Sequence, residues 1–265
     1  MNKKIGFIGC GNMAKAMITS IIKAGLVSPK DIFASDAYQP GLDDAKTRLG
    51  INTTMDNKEV VKTCDVIFLA VKPNMYDSVM KELAPLGDGK IFVSIAPGKT
   101  LDYLENGLGK NTKILRTMPN TPAMVGAGVT AICPNKNITQ EDQEVLETVI
   151  GTFGTVERIE EKLFDTVVAV SGSSPAYVFM FIEAMADAAV LKGMARDKAY
   201  RFAAQAVLGS AKMVLETKRH PGDLKDMVCS PGGTTIEGVA VLEEKGMRFA
   251  VIQAMNAVHD KSGKM

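Results

Sequence analysis

A short stretch near the end of the chain combines backbone and hydroxyl groups that could hold an anion. Residues 226–237 read Asp-Met-Val-Cys-Ser-Pro-Gly-Gly-Thr-Thr-Ile-Glu. Pro231 fixes the approach of the chain, while Gly232 and Gly233 carry no side chains that would shield the backbone. A helix starting here would offer free N–H groups and the positive end of its dipole, next to two threonine hydroxyls. The stretch therefore predicts an anion site that needs no Lys or Arg.

The same stretch has a less specific interpretation. Thr234 and Glu237 have the spacing of a capping box, in which two side chains satisfy the first N–H groups of a helix. An apolar pattern at helical spacing follows from Ile236, and Gly246 is placed to end the helix. An ordinary capped turn that binds nothing would show the same residues, and both interpretations stay open at this point.

A second motif, near the N-terminus, has the pattern of a dinucleotide-binding turn. The strand-like residues 4–8 run directly into the sequence GCGNMA, which starts at position 9 and opens an apolar helix. Gly9 permits the tight turn, Gly11 lets a pyrophosphate approach the backbone, and Ala14 keeps helix and strand close. An acid, Asp36, ends the second predicted strand. The alternative is a glycine turn without a ligand.

Two longer motifs resemble those of one enzyme family. The run HPGDLKDMVCSPGGTT, from His220 to Thr235, resembles the signature of the pyrroline-5-carboxylate reductases, and RTMPNTP, from Arg116 to Pro122, resembles another of their motifs. The resemblance covers essentially the whole chain. It implies that the ring imine of 1-pyrroline-5-carboxylate is reduced to L-proline, the last step of proline biosynthesis. The implied hydride donor is NADPH, with NADH also accepted.

The resemblance and the helix-start pattern together suggest roles for individual residues. Backbone N–H groups of the Gly-Gly-Thr-Thr turn are expected to hold the substrate carboxylate, and the Thr235 hydroxyl, the one catalytic group we name, to hydrogen-bond the ring nitrogen. Ser173 and Ser174 are further candidates, although N-capping of a helix before Pro175 is the competing interpretation. The substrate-binding candidates are Gly232, Gly233, Thr234, Thr235, Ser173 and Ser174. The cofactor-binding candidates are Ile8, Gly9, Cys10, Gly11, Asn12, Met13, Ser35, Asp36, Ala70, Val71, Lys72, Pro73, Ala96 and Asn120.

The expected reaction asks for little acid–base chemistry from the protein. The cofactor supplies the hydride, and the fold places its nicotinamide against the imine carbon. A protonated imine is already activated, so we expect no histidine at the centre: His220 is more simply a loop-positioning residue, and His259 lies near the polar C-terminus. The sequence leaves the proton donor unassigned.

The residues after the second predicted strand bear on the choice between NADH and NADPH. Ser35 and Asp36 stand there, and no cation follows before Lys46. An ionised Asp at this place bonds the ribose hydroxyls of NAD and repels a 2′-phosphate, whereas Ser35 could donate to a phosphate. Since the family commonly uses NADPH, we expect NADPH to lead NADH by less than about 100-fold in kcat/KM.

Other functions compete with this one. The β-hydroxyacid dehydrogenases share the glycine fingerprint and a helical second domain, but they carry a catalytic Lys early in their long helix, and residues 171–183 contain none. A reductase of another small imine, or of a 2-hydroxy or 3-hydroxy acid, is a near alternative. A non-catalytic nucleotide sensor is an alternative from another class, and it would not need the Gly-Gly-Thr-Thr turn.

The elements that would position these residues divide into two parts. Over residues 1–160, runs rich in Val, Ile and Phe alternate with short connections, which predicts an α/β, Rossmann-type doubly wound domain of parallel strands covered on both faces. Strands are predicted near residues 3–8, 31–35, 65–70, 91–96, 113–116 and 126–133, with a short segment near 51–53 and helices over 41–49 and 139–152.

Residues 161–265 predict an all-helical domain for substrate binding and dimerisation. Helices are expected at about 175–193, 197–217, 235–245 and from 247 to the end. The first is apolar nearly all round, so a partner subunit is expected to cover it. Its length approaches a membrane span, but Glu183 and Asp187 would each cost roughly 2.5–3.5 kcal/mol at a bilayer centre, which favours a buried helix. The resemblance implies an interlocked homodimer, which some members of the family assemble further into rings.

Composition excludes several classes of function. Lys and Arg number 31 against 30 Asp and Glu, so the net charge of +1 indicates neither nucleic acid nor an anionic membrane as partner. Four scattered cysteines and two histidines make a metal site improbable and favour reduced thiols. The N-terminus leads straight into a strand-like run, so we expect no signal peptide and a cytoplasmic location.

Overall fold

The computed structural model describes residues 3–264, which form two compact units. The first contains the chain up to Ser173 and the residues from Val258 onward, and the second is Ser174–Ala257. Phe164 and Ala169 are buried within the first unit. The domain boundary predicted after residue 160 marks the change to helical structure and stays a prediction, while the compact units divide after Ser173.

One mixed sheet forms the centre of the first unit. Its strand order is β3-β2-β1-β4-β5-β6-β7-β8. The strands are β1 (Ile5–Ile8), β2 (Ile32–Ser35), β3 (Asn52–Thr54), β4 (Val66–Leu69), β5 (Ile91–Ser94), β6 (Lys113–Met118), β7 (Gly128–Pro134) and β8 (Gly154–Arg158). The order reverses between β1 and β4, so their carboxyl ends form a switch point, where doubly wound sheets bind ligands.

The expectation of parallel strands throughout is wrong at β7, which runs antiparallel to β6. Residues 119–127 connect the two strands through a single short 3-10 turn, Thr121–Val125. A parallel crossover needs about a dozen residues or more, so the chain can only return antiparallel. Strand β8, which pairs parallel to β7, was not predicted because its sequence GTVER is half exposed and lacks an apolar run.

Helices cover both faces of this sheet, as predicted. They are α1 (Asn12–Lys23), α2 (Gln39–Leu49), α3 (Asn57–Thr63), α4 (Tyr76–Leu83), α5 (Leu101–Leu108) and α6 (Gln140–Gly151). Neighbouring strand residues such as Phe7 and Ile8 lie in two separate buried clusters, because successive side chains point to opposite faces. The sequence did not predict α3, α4 and α5, which are too short for a clear helical period.

The second unit is entirely helical in the described residues. A continuous helical stretch enters it through α7 (Phe164–Val167) and a π-helical turn (Val168–Ser173), and then continues as α8. The helices are α8 (Ser174–Leu191), α9 (Arg196–Thr217), α10 (Pro221–Val228), α11 (Thr234–Glu244) and α12 (Met247–Ser262). No helix was predicted from the sequence over the residues of α10, which were expected to form a loop. His220 caps this helix, because its Nδ1 accepts a hydrogen bond from the Gly222 N–H at 3.0 Å.

Helix α8 is exposed over most of its surface in the single chain, and only Ala186 is buried. The expectation of a buried helix is therefore not met within one protomer, where Met180 is 68% exposed and Leu191 is 85% exposed. Within residues 3–264, one helix, Glu161–Leu191, is long and apolar enough to span a membrane, a test that core helices of soluble proteins also pass.

Candidate functional site

The glycine turn after β1 has the geometry that a dinucleotide needs. Gly9 has a φ of +98°, and a Cβ there would lie 2.6 Å from the Ala70 carbonyl oxygen, so only glycine fits. Its N–H donates to the Ser35 carbonyl oxygen at 2.8 Å. At Gly11, by contrast, a Cβ would meet nothing within 4 Å. The space above Gly11 is open and is available to a ligand.

The start of helix α1 supplies the donors for this space. Gly11 is the N-cap residue, and no side chain of the described residues caps the helix. The first N–H groups of a helix have no partner within it and carry the positive end of the dipole. A pyrophosphate above Gly11 would therefore meet free donors, which shows that these residues fit a dinucleotide.

Asp36 is held beside the glycine turn. Its Oδ2 accepts a hydrogen bond from the Cys10 N–H at 2.7 Å, and its Oδ1 accepts one from the Tyr38 N–H at 2.9 Å. The carboxylate is thus fixed by two backbone groups rather than directed outward into the loop. Each of its oxygens keeps a further lone pair that a ribose hydroxyl could use.

A cavity of about 360 Å³ lies over the ends of β1, β2 and β4. It is lined by Gly9, Gly11, Asp36, Ala37, Met55, Asn57, Ala70, Val71, Lys72, Met75 and Val79. We call it the ribose cavity. Sequence reasoning missed Asn57, which lies at the start of the unpredicted helix α3.

The expectation that the Ser35 hydroxyl could donate a hydrogen bond to a 2′-phosphate is wrong. Ser35 is fully buried at the end of β2, and its Oγ donates to Asn57 Oδ1 at 2.7 Å. Ser35 therefore acts on the ribose cavity only by orienting Asn57. Similarly, the side chains of Ile8 and Cys10 are buried, so only their backbone groups can face a cofactor.

A second cavity of about 380 Å³ continues along the sheet edge. It shares Gly11, Ala70, Val71 and Lys72 with the ribose cavity. Its other lining residues are Asn12, Met13, Pro73, Ile95, Ala96, Pro97, Met118, Pro119, Asn120, Thr121 and Gly172. We call it the nicotinamide cavity, because it extends from the pyrophosphate turn to the proline-rich loop after β6. The structure thus brings most of the predicted cofactor residues together.

Buried hydroxyl groups hold the strands from which these loops emerge. The Tyr76 hydroxyl donates to the Leu69 carbonyl oxygen at 2.8 Å and lies 3.1 Å from Ser94 Oγ. Thr117 Oγ1 donates to the Ser94 carbonyl oxygen at 2.9 Å. Burial raises the pKa of Tyr76 to about 12, so it stays a neutral donor. The ends of β4, β5 and β6 are therefore cross-linked just before the loops that line the nicotinamide cavity.

The glycine-rich turn before α11 lies in the helical unit. Gly232 has a φ of +65°, and the Gly233 N–H donates to the Ser230 carbonyl oxygen at 3.0 Å. A Cβ at Gly233 would lie 2.3 Å from Ser230 Oγ, so a larger residue there would force the serine side chain to move. Gly233 is the N-cap of α11, which begins at Thr234.

The expected capping box at this turn is wrong. Because the helix begins one residue earlier than the box requires, Thr234 is already helical, and no side chain of the described residues caps α11. The first N–H groups of α11 therefore have no intrahelical or capping partner. Thr234 and Thr235 are exposed beside them. This arrangement fits the anion site better than an ordinary capped turn.

The expectation that Ser173 and Ser174 cap a new helix is also wrong. Helical structure runs without a break from Phe164 to Leu191, so both serines lie inside it. Ser173 ends the π-helical turn, and the preceding residue, Gly172, lines the nicotinamide cavity. Gly172, Met118 and Pro97 are cavity residues that the sequence did not single out.

Comparison with known proteins places the chain among relatives of one kind. Residues 161–265 match the family model described as pyrroline-5-carboxylate reductase dimerisation, and residues 4–98 match one described as NADP oxidoreductase, coenzyme F420-dependent. The chain is 55% identical over 269 residues to the pyrroline-5-carboxylate reductase of Escherichia coli K12, covering 100% of this chain and 99% of that protein. It is 46% identical over 265 residues to that of Methanosarcina acetivorans, covering 100% and 98%. Among solved structures, it resembles Plasmodium falciparum pyrroline carboxylate reductase with NADP bound, with a TM-score of 0.91, 33% identity and coverage of 99% and 98%.

Proposed function

The chain belongs to the pyrroline-5-carboxylate reductase family, and from this premise we propose how its own residues serve the reaction. It is an oxidoreductase that reduces 1-pyrroline-5-carboxylate to L-proline with NAD(P)H. Membership of the family decides against the hydroxyacid dehydrogenases and the non-catalytic sensor. We propose that α1, Asp36 and Lys72 hold the cofactor and that the turn before α11 holds the substrate.

The cofactor is NADPH, as in the relative described with NADP bound. In our proposal the N-terminus of α1 receives the pyrophosphate over Gly11, and the ribose cavity receives the adenosine ribose between Asp36 and Lys72. Lys72 offsets the negative charge of Asp36 near a 2′-phosphate. This pairing of charges is consistent with use of both NADPH and NADH.

The substrate turn contributes binding and orientation. The bound cofactor supplies a hydride to the imine carbon. Backbone N–H groups of Gly233, Thr234 and Thr235 bind the ring carboxylate, and the Thr235 hydroxyl hydrogen-bonds the ring nitrogen. The Ser173 and Ser174 hydroxyls are secondary contacts to the ring. The single observation that carries this proposal is the uncapped start of α11 with two exposed threonines.

Replacing Thr235 with Val tests the role of its hydroxyl. Thr235→Val keeps the shape of the side chain but removes the hydrogen bond to the ring nitrogen. We expect kcat/KM for the imine to fall by about ten- to a thousandfold, about 1.4–4 kcal/mol, in steady-state assays. NADPH affinity, measured by fluorescence titration, should stay unchanged.

Thr217→Val is the matched control. Thr217 Oγ1 donates to the Met213 carbonyl oxygen at 2.7 Å near the end of α9, so this variant also loses one threonine hydrogen bond in the helical unit. It should retain wild-type kinetics. Wild-type turnover in Thr235→Val would refute the assignment.

The chain forms a homodimer through residues 161–265, the stretch that matches the dimerisation model. The exposed apolar side chains of α8 support this assignment. We further propose that dimers can assemble into a ring and that the protein works in the cytoplasm. The net charge of +1 supports a soluble location, and sedimentation of the purified protein would report the subunit count.

A further inference from the structure

A proline interrupts the hydrogen bonding of the long helical stretch beside the nicotinamide cavity. In an α-helix, the carbonyl oxygen of Ser171 would accept the N–H of residue 175. Residue 175 is proline, which has no N–H. The chain is wound as a π-helix over Val168–Ser173, immediately before this point. π-Helical turns occur often at functional sites.

The Asn120 side chain donates to this carbonyl group. Its Nδ2 donates to the Ser171 carbonyl oxygen at 3.1 Å. Its Oδ1 accepts the Val129 N–H at 3.0 Å. The two partners determine the orientation of the amide, because an N–H needs an acceptor and a carbonyl oxygen needs a donor. The side chain is only 8% exposed.

This amide therefore joins three elements, two of which line the nicotinamide cavity. Asn120 itself belongs to the loop after β6, Val129 belongs to β7, and Ser171 belongs to the π-helical turn. Gly172, the next residue of that turn, lines the cavity, and a Cβ there would lie 2.9 Å from Met118 Cε. The Gly172 backbone thus forms part of the cavity wall, with the flexible end of the Met118 side chain beside it.

We propose that Asn120 is a positioning residue for hydride transfer, because it replaces the N–H that Pro175 lacks and thereby fixes the π-helical turn against the nicotinamide cavity. Its amide is already bonded on two sides, so its main role is to hold Ser171, Gly172 and Ser173 rather than to bind the cofactor. The inference rests on the proposed function, in which Ser173 contacts the substrate ring.

The variant Asn120→Asp separates these two roles. It keeps an oxygen for the Val129 N–H but replaces the donor to the Ser171 carbonyl with a second acceptor. We expect kcat/KM for 1-pyrroline-5-carboxylate to fall by about ten- to a hundredfold, since a displacement of about 1 Å can have that effect. The dissociation constant of NADPH should change by less than about twofold. The deuterium isotope effect with NADPH labelled at nicotinamide C4 should rise, as hydride transfer limits the rate more.

A structural readout does not depend on activity. Hydrogen–deuterium exchange of the cofactor-free protein should be faster over residues 168–174 in Asn120→Asp. Asn135→Asp is the matched control, because Asn135 is also buried, accepts the Ile114 N–H and donates to the Thr112 carbonyl oxygen, yet lines neither cavity. It should show wild-type kinetics and wild-type exchange over residues 168–174.

The substitution Pro175→Ala provides a rescue test. It restores the N–H to which Ser171 would bond in an α-helix, so the donor of Asn120 becomes redundant. In the Pro175→Ala background, Asn120→Asp should lower kcat/KM by a clearly smaller factor than in the wild type. If Asn120→Asp does not fold, Asn120→Ala removes the same donor without adding a charge and is assessed in the same way.

Several outcomes would overturn the inference. These are unchanged kinetics in Asn120→Asp, a loss of NADPH affinity as large as the loss of kcat/KM, or unchanged exchange over residues 168–174. Failure of the proposed function is distinguishable. Wild-type activity in Ser173→Ala would remove Ser173 from the substrate site and leave the Asn120 result standing. If the wild type reduced no imine, the proposed function would be contradicted. The exchange measurement would still test whether Asn120 holds the π-helical turn.

Discussion

Two glycines of one turn serve different purposes. Gly9 is required by the protein, because its φ is +98° and the Ala70 carbonyl oxygen leaves no space for a Cβ. Gly11 is not required by the protein, because a Cβ there would lie in open space. In the proposed function, glycine at this position leaves room for the pyrophosphate to approach the backbone.

Gly11→Ala and Gly9→Ala should therefore differ. Gly11→Ala should fold with an unchanged melting temperature but bind NADPH at least about tenfold more weakly, about 1.4 kcal/mol, in a fluorescence titration. Gly9→Ala should lower the melting temperature. Gly151→Ala, at the end of α6, also meets no neighbour within 4 Å and serves as the control with normal binding. Normal NADPH affinity in Gly11→Ala would contradict the assignment of the turn.

We propose that Asp36 has both a structural role and a role in cofactor selection. Because its carboxylate accepts the Cys10 N–H, it supports the glycine turn in addition to facing the ribose cavity. Asp36→Ser should raise the KM of both cofactors and shift the ratio of kcat/KM toward NADPH. The wild type should accept NADH, with NADPH ahead by less than about 100-fold, or about 2.7 kcal/mol.

Steady-state kinetics with both cofactors check this prediction. Asp43→Ser is the control, since Asp43 is exposed on α2 and bonds only Gln39 among the described contacts. A wild type that ignores NADH, or a ratio that Asp36→Ser leaves untouched, would show that Asp36 does not discriminate between the cofactors.

At the scale of elements, the start of helix α6 combines a capping box, formed by residues close in sequence, with a positive charge from a distant strand. Thr139 and Asp142 form the capping box that opens this helix, whose range of 139–152 was predicted from the sequence. Lys113 of β6 approaches the same carboxylate at 2.6 Å. Burial alone would raise the pKa of Asp142, but the hydrogen bonds from Lys113 and Thr139 outweigh it and hold the pKa below its usual value.

The pH dependence of stability follows from this shift. A depressed carboxyl pKa in the folded state stabilises the protein above the unfolded value of about 3.9 and loses that contribution as the pH falls through the folded value. Asp142→Asn should therefore lower the free energy of unfolding by about 1–2 kcal/mol at pH 7, with a smaller difference below about pH 4. Thermal melts over this pH range measure it.

Asp102→Asn is the control for this pH experiment. Its carboxylate is 91% exposed and lies 3.9 Å from Lys110, so its ion pair should contribute little. A pH-independent difference between Asp142→Asn and the wild type would contradict the stated role of the charge.

At the scale of the whole molecule, the exposed apolar surface of α8 requires a partner. Phe179 and Met180 are 63% and 68% exposed in the single chain, whereas monomeric proteins rarely expose apolar patches above a few hundred Å². Met180→Glu should give aggregate or inactive monomer, as judged by light scattering. Met180→Leu keeps the site apolar and should remain a dimer. A soluble and fully active Met180→Glu monomer would refute the proposed interface.

The sequence by itself determined the features that depend on local backbone chemistry. The strand–glycine–helix pattern around Gly9 and the glycine pair before α11 were readable because positive φ angles and bare backbone select glycine wherever they occur. Runs rich in Val, Ile and Phe with short connections likewise predicted the doubly wound sheet. Whole-chain resemblance then added the substrate, which no local pattern specifies.

The tertiary structure alone decided which groups face the cavities. The sequence did not show that Ser35 is buried or that Asn57 lines the ribose cavity. The helix that carries Asn57 is too short to show a helical period in the sequence. Pro175 predicted a helix start, yet the helical stretch passes through it, and Asn120, distant along the chain, donates to the Ser171 carbonyl group. Such outcomes depend on contacts between distant residues, and a local pattern contains no information about them.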